Sequence, residues 1–258
     1  MEYGICPLSI VPMRAEPSDL SEMVNQMLFG EVFKIVDQRK KWYRIRLAHD
    51  DYEGWIDRKQ AHLIKKEEYV ELSKAKLPVS AAPVDMLQSP NPTGHLTIVQ
   101  GSYLPGLHSG DKVAFDNVTF EAPEVILKES GTKADLVEWA YSYLNAPYLW
   151  GGRSPMGIDC SGFTQLVYRM IGEAIPRDAS DQAKIGDALS FIEEAEPGDL
   201  AFFDNNEGSI IHVGILLEDN YIIHASGKVR LDRLDQSGIY NAEERTHTHR
   251  LRVIKSLL

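Results

Sequence analysis

The segment that follows Cys160 constrains the fold of this chain most strongly. Apolar side chains recur there with the spacing of one face of an α-helix, namely at Phe163, Leu166, Val167, Met170 and Ile171. Gly172 fits the end of such a helix, and the glycines before Asp159 fit a loop. The sequence therefore predicts a helix that carries a cysteine at its start.

A cysteine at a helix start has the chemistry of a nucleophile. The unpaired N–H groups and the dipole of the first turn favour an anion, and the reactive form of cysteine is the thiolate. The same N–H groups can stabilise the oxyanion of an attacked carbonyl. The alternative is a buried structural thiol, which is the usual state of a free cysteine and the one that we expect for Cys6.

His212 and His224 are the candidate bases because each interrupts an apolar segment, IIHVGILL (210–217) and YIIHAS (221–226). A buried polar group costs free energy unless it is satisfied, so each histidine alone is more often a satisfied core residue. As a pair they are better candidates for catalysis. One imidazole could deprotonate Cys160, and the other could hold the first in the required tautomer.

The pairing of the two strands decides whether these histidines meet. A two-residue turn at Asp219-Asn220 would place them on opposite faces of the sheet. A turn centred on Glu218, or a bulge, would place His212 directly opposite His224. A catalytic pair requires the second arrangement.

Three regions differ in their pattern of apolar residues. Residues 1–68 contain the alternating segments VFKIVD (32–37) and WYRIRL (42–47), followed by YEGWID (52–57). Short strands at this spacing predict a small β-barrel. We predict a second barrel in residues 69–128, with a tight turn between two strands at Asp116-Asn117.

The third region, residues 129–258, combines helices with an antiparallel sheet. A helical stripe covers residues 132–145, with Thr132 as N-cap, and a second helix is predicted over 179–189. Strands over 210–217 and 221–226 follow. This order predicts an α+β domain.

The composition excludes some classes of function. The net charge of −11 repels phosphate backbones, so we expect no nucleic-acid partner. No apolar run approaches the roughly 20 residues of a membrane-spanning helix, so we expect no membrane insertion. The first residues lack a basic segment followed by a long apolar run, which predicts a cytoplasmic protein. No familiar ligand spacing is present, so we predict neither a metal nor a cofactor.

Several separated motifs together resemble a known family. YLWGGRSPMGIDCSGFTQLVY (148–168), PGDLAFFD (197–204), HVGILL (212–217) and YIIHASG (221–227) are similar to the NlpC-type cysteine peptidases of bacterial cell walls. The order of LFGE (28–31), WYRIRL and YEGWID resembles a bacterial SH3 domain. The resemblance implies a papain-like α+β core preceded by one or two SH3-like barrels.

The resemblance also implies roles for individual residues. Cys160 would be the nucleophile, His212 the general base and His224 the orienting residue. The substrate would be a murein peptide with a free N-terminal L-Ala, cut between γ-D-Glu and the diamino acid during cell-wall recycling. The residues implied to contact it are Tyr148, Trp150, Asp159, Ser161, Asp178, Ser180, Glu31 and Tyr52.

Three of these residues would recognise the free amine of the peptide. They are Asp178, Glu31 and Tyr52, of which the last two lie in the first SH3-like region. A peptide whose amine is acylated carries no ammonium charge and would leave these carboxylates buried and unpaired. The site would therefore reject blocked peptides. Ala179 stands where the family suggests a serine and Ser180 is adjacent, so whether residue 179 or residue 180 takes the role of that serine stays open. Asp178 could instead be only the N-cap of its helix.

Two other functions remain open at this level. The same fold hosts amidases and acyltransferases, and an inactive peptidase domain could serve as a wall-binding scaffold. The presence of Cys160, His212 and His224 together argues against the scaffold.

Overall fold

The computed structural model describes residues 1–89, 94–107, 112–122, 127–128 and 131–258. It divides into two compact units. Unit 1 comprises Met1–Glu129 and Trp150–Pro155, and unit 2 comprises Ser130–Leu149 and Met156–Leu258. The chain therefore enters unit 2, returns to unit 1 for residues 150–155, and then completes unit 2.

The first part of unit 1 is an antiparallel sheet. Its strands are β1 (Tyr3–Ile5), β2 (Ile10–Arg14), β3 (Met23–Leu28), β4 (Val32–Gln38), β5 (Trp42–Leu47), β6 (Glu53–Asp57) and β7 (His62–Ile64). They are ordered β3-β2-β6-β5-β4-β1-β7. Alternate residues of β5, such as Tyr43 and Ile45, point into a buried apolar core. The strands predicted over 32–37, 42–47 and 52–57 are confirmed.

The second part of unit 1 begins with helix α1 (Lys66–Lys74) and continues as short strands. These are β8 (Val79–Ser80), β9 (Val84–Gln88), β10 (His95–Val99), β11 (Lys112–Phe115), β12 (Val118–Glu121) and β13 (Leu127–Lys128). Strands β11 and β12 pair Phe115 with Val118 across the predicted turn at Asp116-Asn117. The last strand of the unit is β14 (Arg153–Ser154).

One apolar core joins the two parts of unit 1. It includes Ile5 and Phe29 from the first part with Leu87, Ile98 and Val113 from the second. The division into separate domains at residues 68 and 69 stays a prediction. The boundary predicted between 128 and 129 involves Glu129, which lies outside the described residues.

Unit 2 combines helices with one large antiparallel sheet. Its elements are α2 (Lys133–Ser142), β15 (Gly157–Ile158), α3 (Cys160–Met170), α4 (Ala179–Gln182), β16 (Asp187–Leu189), β17 (Leu200–Asp204), β18 (Ile210–Leu216), β19 (Tyr221–Ser226), β20 (Lys228–Asp235), β21 (Gly238–Asn241) and β22 (Thr246–Ser256). The sheet order is β16-β22-β17-β18-β19-β20-β21, and β21 also pairs with β22. That pairing closes the sheet on itself. The predicted α+β class is confirmed.

The helices of unit 2 begin where the sequence indicates. Thr132 caps α2 and forms a capping box with Asp135, as expected from a hydroxyl followed three residues later by a carboxylate. Helix α3 begins at Cys160 and buries its apolar face, including Phe163 and Leu166, in the interior.

The helix predicted over 179–189 is much shorter than expected. Helix α4 covers only Ala179–Gln182, and Asp187–Leu189 forms strand β16 against β22. Gly186 shows why a helix could not run through to residue 189. Its φ of +70° is a left-handed conformation that no helix contains, and a Cβ at this position would meet the carbonyl oxygen of Ser256 on β22.

Within the described residues, no helix is long and apolar enough to cross a membrane.

We expect Gly186→Ala to destabilise unit 2 more than Gly208→Ala does. Both substitutions place alanine at a positive φ, +70° and +83°, which costs about 1–2 kcal/mol. A Cβ at 186 would also collide with the carbonyl oxygen of Ser256, whereas one at 208 meets no heavy atom within 4 Å. Urea unfolding of both variants measures the difference. Equal losses would contradict the close packing of this turn against β22.

Candidate active site

The first turn of α3 places Cys160. Asp159 is the N-cap, and its Oδ1 accepts a hydrogen bond from the backbone N–H of Gly162 at 2.7 Å. Such a cap stabilises a helix start by about 1 kcal/mol. Cys160 is consequently the first helical residue, and it is only 7% exposed. The predicted position of this cysteine at a helix start is confirmed.

Arg177 holds the same N-cap from the other side. Its guanidinium donates to Asp159 Oδ1 at 3.0 Å and Oδ2 at 2.5 Å, and to Ser161 Oγ at 2.9 Å. All three side chains are buried. A bidentate arginine–carboxylate pair fixes both partners in one geometry. The residues on either side of Cys160 are thereby tied to the loop before α4.

Burial governs the protonation of the thiol. Desolvation, and then the nearby Asp159 carboxylate, raise the pKa of Cys160 to about 12. Hydrogen bonds from the backbone of Val213 and Ser161 and the charge of Arg177 oppose this rise only in part. The helix start therefore does not produce a free thiolate at rest, in contrast to the tendency expected from the sequence, and the thiol needs a base to react.

The strand that carries His212 reaches that thiol. Val213, whose backbone reaches the sulfur, follows His212 on β18. His212 Nε2 and His224 Nδ1 are 2.8 Å apart, and both rings are buried. The structure thus joins the predicted base to the predicted orienting residue and places the strand of the base at the predicted nucleophile.

The pairing of β18 with β19 is centred on residue 219, whereas the sequence analysis required a turn centred on Glu218. Gly214, not His212, lies opposite His224, because the turn is centred on Asp219 in a left-handed conformation (φ 55°). The shift keeps both histidines on one face, where they meet diagonally. Gly214 makes room for this, since a Cβ there would lie 2.8 Å from Cβ of His224.

Further groups, which sequence reasoning missed, surround the histidine pair. His224 Nε2 lies 3.0 Å from Oδ2 of Asp232 on β20, and Arg230 pairs with the same carboxylate at 2.7 Å. His249 on β22 stacks on His212, with ring centroids 4.2 Å apart. The polar run THTHR (246–250) that contains His249 gives no sequence signal for this contact. The charged pair at alternate positions of the strand KVRLDRLD is the signal that points to Asp232.

The environment of His212 keeps its imidazole neutral. Burial, followed by the neighbouring His224 and His249, lowers the pKa of His212 well below 6.5. Burial likewise lowers the pKa of His249 to about 4. A neutral imidazole can accept a proton from the thiol, which is the chemistry required of a general base.

Most of the predicted substrate residues also lie in unit 2. Tyr148 is half-buried, and burial, then the nearby Cys160 and Asp159, raise the pKa of its hydroxyl to about 12. Asp178 stands at the N-cap position of α4 without a side-chain capping hydrogen bond, so capping does not explain it. Ala179 is buried and Ser180 is exposed.

The remaining predicted residues belong to unit 1. Trp150 is exposed and donates from Nε1 to Glu22 at 2.6 Å, so it is not a core aromatic. Tyr52 donates from its hydroxyl to the carbonyl of Val24 at 3.4 Å. Their contact with substrate stays a prediction.

Glu31 has a strong partner of its own in unit 1. Its carboxylate is fully buried and accepts from both terminal nitrogens of Arg153, at 2.8 and 3.1 Å, and from the backbone of Leu28 at 2.9 Å. Arg153 also donates to the carbonyl of Gln26 at 2.7 Å. A substrate amine would therefore share this carboxylate with a resident cation. The role of Glu31 in substrate binding stays a prediction.

Cys6 has the structural role expected of it. It is buried in the core of unit 1, and desolvation strongly raises the pKa of its thiol. Among the residues that the structure describes, no group of three or more His, Cys, Asp or Glu side chains is arranged to hold a metal ion. Metal-independent activity stays a prediction.

Comparison with known proteins identifies two domains in the chain. The NlpC/P60 family model matches residues 145–250, and the model of the bacterial dipeptidyl-peptidase SH3 domain matches residues 13–60. A crystal structure of an NlpC/P60 family protein from Bacillus cereus ATCC 10987 superposes with a TM-score of 0.82 at 22% identity, covering 99% of each chain. The predicted fold, a papain-like core with an SH3-like N-terminal part, is confirmed.

Two curated relatives span most of the chain. One is the gamma-D-glutamyl-L-lysine dipeptidyl-peptidase of Bacillus cereus ATCC 10987, 29% identical over 81% of this chain and 68% of its own length. The other, with the same name, comes from Bacillus subtilis 168 and is 28% identical over 78% of this chain and 71% of its own. Taken with the helix-start cysteine and its histidine pair, these matches show that the chain carries an NlpC/P60 cysteine-peptidase domain and a bacterial dipeptidyl-peptidase SH3 domain.

Proposed function

We propose that this protein hydrolyses the bond between γ-D-glutamate and the diamino acid of free murein peptides, releasing L-Ala-γ-D-Glu. The observation that carries the proposal is the hydrogen-bonded His212–His224 pair on strands β18 and β19, where the backbone of Val213, the residue after His212, contacts the thiol at the start of α3. The names of the two Bacillus relatives support the choice of bond. Recycling of cell-wall peptides in the cytoplasm is the setting that we propose for it.

Proton transfer starts the reaction. Cys160 is a thiol and His212 a neutral imidazole at rest, because burial raises the pKa of the first and lowers that of the second. His212 takes the thiol proton as the sulfur attacks the γ-carbonyl carbon of D-Glu. His224 holds the ring of His212 during this transfer.

Charge stabilisation completes the step. The oxyanion that forms lies by the first turn of α3, where backbone N–H groups and the helix dipole favour negative charge. Tyr148 keeps its proton at neutral pH and can donate to the same region. The imidazolium then protonates the leaving amine of the diamino acid. Water, activated by the neutral His212, hydrolyses the thioester to free the dipeptide and the thiol.

Specificity for a free amine rests on Asp178 in unit 2. Its carboxylate is half-buried and is not used as a helix cap. A charge-assisted hydrogen bond to the ammonium group of L-Ala would stabilise the bound peptide. Asp159, Ser161 and the hydroxyl of Tyr148 face the remainder of the peptide in this proposal, and Trp150, Glu31, Tyr52 and Ser180 are further candidate contacts.

We expect Cys160→Ser and His212→Ala to lower the turnover of L-Ala-γ-D-Glu-L-Lys by about 10³-fold or more, since each removes a reacting group. His224→Ala should lose less. Mass spectrometry follows the release of L-Ala-γ-D-Glu, and thermal melts check the fold. His247→Ala, an exposed histidine paired with Asp235, is the matched control with unchanged turnover. Wild-type turnover in a folded Cys160 variant would exclude this mechanism, and a product cut elsewhere would exclude the proposed bond.

The dependence of kcat/KM on pH should show an acidic limb centred below pH 6.5. His212 must be neutral to accept a proton, and a lowered pKa keeps it neutral until the pH falls through that value. Initial rates between pH 4 and 9, normalised to folded enzyme, measure the limb. A midpoint at or above 6.5 would mean that His212 is not the group that titrates.

We expect the wild-type enzyme to prefer the free tripeptide over its N-acetylated form by about ten- to a hundred-fold in kcat/KM, because the blocked amine carries no charge and cannot donate a charge-assisted hydrogen bond to Asp178. Asp178→Asn should reduce this preference mainly by slowing the free peptide. Asp181→Asn, an exposed position on the same helix, should preserve it. Equal rates on the two peptides with wild-type enzyme would remove the basis for amine recognition.

A further inference from the structure

Three polar side chains form a chain of hydrogen bonds across three neighbouring strands of unit 2. His212 on β18, His224 on β19 and Asp232 on β20 lie on one face of the sheet, and each step runs diagonally between neighbouring strands. Gly214 lies opposite His224, and Arg230 lies opposite it on the other side, so each partner is two residues from the directly opposed position. The two contacts measure 2.8 and 3.0 Å.

The carboxylate at the end of this chain of hydrogen bonds determines the proton positions along it. An ionised carboxylate only accepts hydrogen bonds, so Nε2 of His224 must donate to Asp232. Nδ1 of a neutral His224 is then an acceptor, and Nε2 of His212 must donate to it. The lone pair of a neutral His212 is consequently on Nδ1.

Asp232 is held in its ionised form. Burial pulls its pKa upward, but hydrogen bonds from His224 and Arg230 outweigh burial and lower the pKa overall. Arg230 approaches both oxygens, with Nε 2.7 Å from Oδ2 and a terminal nitrogen 3.1 Å from Oδ1. The carboxylate is therefore fixed in position and in charge.

We propose that Asp232 is a positioning residue, which sets the tautomer of His224 and through it directs the basic nitrogen of His212 to the thiol. This inference rests on the proposed function for its chemistry and extends it by one residue beyond the predicted triad. The competing explanation is that Asp232 only pairs with Arg230 to hold β20.

Substitution by asparagine separates the two explanations. An amide at 232 can place its NH₂ group toward His224, which reverses the tautomer and puts a proton on Nδ1 of His212. The opposite orientation places the NH₂ group against the guanidinium of Arg230, donor facing donor. The variant therefore keeps the volume of the side chain, but it no longer restricts His224 and His212 to one tautomer each.

The first measurement needs no variant and no substrate. Nitrogen-15 NMR of wild-type enzyme at pH 7.5 should show both His212 and His224 protonated on Nε2. Protonation of either ring on Nδ1 would overturn the proposal.

The second measurement compares Asp232→Asn with Asp199→Asn. Asp199 is another buried carboxylate of unit 2, paired with Lys133 at 2.8 Å and away from the histidines. We expect Asp232→Asn to lower kcat/KM about ten- to a hundred-fold, in the range found for groups one shell behind a reacting centre. Alkylation of Cys160 by iodoacetamide, followed by peptide mass spectrometry, should slow as well. Asp199→Asn should leave both rates unchanged.

The pH profile distinguishes positioning from a structural role. The titratable or charged groups around His224 are His212 on β18, Asp232 and Arg230 on β20, and His249 on β22. Loss of the negative charge of Asp232 disfavours imidazolium, so the acidic limb should move to lower pH. A folded Asp232→Asn variant with wild-type alkylation, NMR and pH profile would overturn the proposal. A wild-type enzyme that is alkylated normally but leaves the tripeptide intact would overturn the proposed function alone.

Discussion

The active site depends on one carboxylate, that of Asp159, which both caps a helix and forms a buried ion pair. Asp159 caps α3 through the N–H of Gly162 and pairs with Arg177, which also holds Ser161. Breaking a buried ion pair by removing one partner costs about 3–5 kcal/mol, because the other charge stays buried. The start of α3, and with it the sulfur of Cys160, is therefore fixed by the loop that precedes α4. Both neighbours of the nucleophile, Asp159 and Ser161, thus accept hydrogen bonds from Arg177, which lies after α3 in the chain.

Local patterns in the sequence were sufficient for the elements that carry the catalytic groups. The apolar stripe after Cys160 predicted α3, and polar interruptions of two apolar segments predicted His212 and His224 on neighbouring strands. The centre of the intervening turn was wrong by one residue, because the left-handed conformation of Asp219 depends on how the strands close and not on hydrophobic spacing. The parity of the register, which decides the shared face, was nevertheless right.

The parts that the sequence did not disclose depend on which strands pair and in which register. His249 reaches His212 because β22 pairs with β17, about fifty residues earlier in the chain. Asp232 becomes a partner of His224 only once β20 aligns with β19. Residues 187–189 form strand β16 and not the end of a long helix because they pair with β22. In each case a tertiary pairing overrides a reading based on a single segment.

The return of residues 150–155 to unit 1 has a consequence for how this protein is made. Unit 1 contains Glu31 as a fully buried anion, and its cation, Arg153, is encoded after α2 of unit 2. During synthesis from the N-terminus the ribosome must pass residue 153 before unit 1 can neutralise that charge. Unit 1 is therefore incomplete without residues 150–155, and a gene fragment that ends at residue 129 would encode Glu31 without Arg153. Recombination that exchanged one unit alone would separate an arginine from its carboxylate.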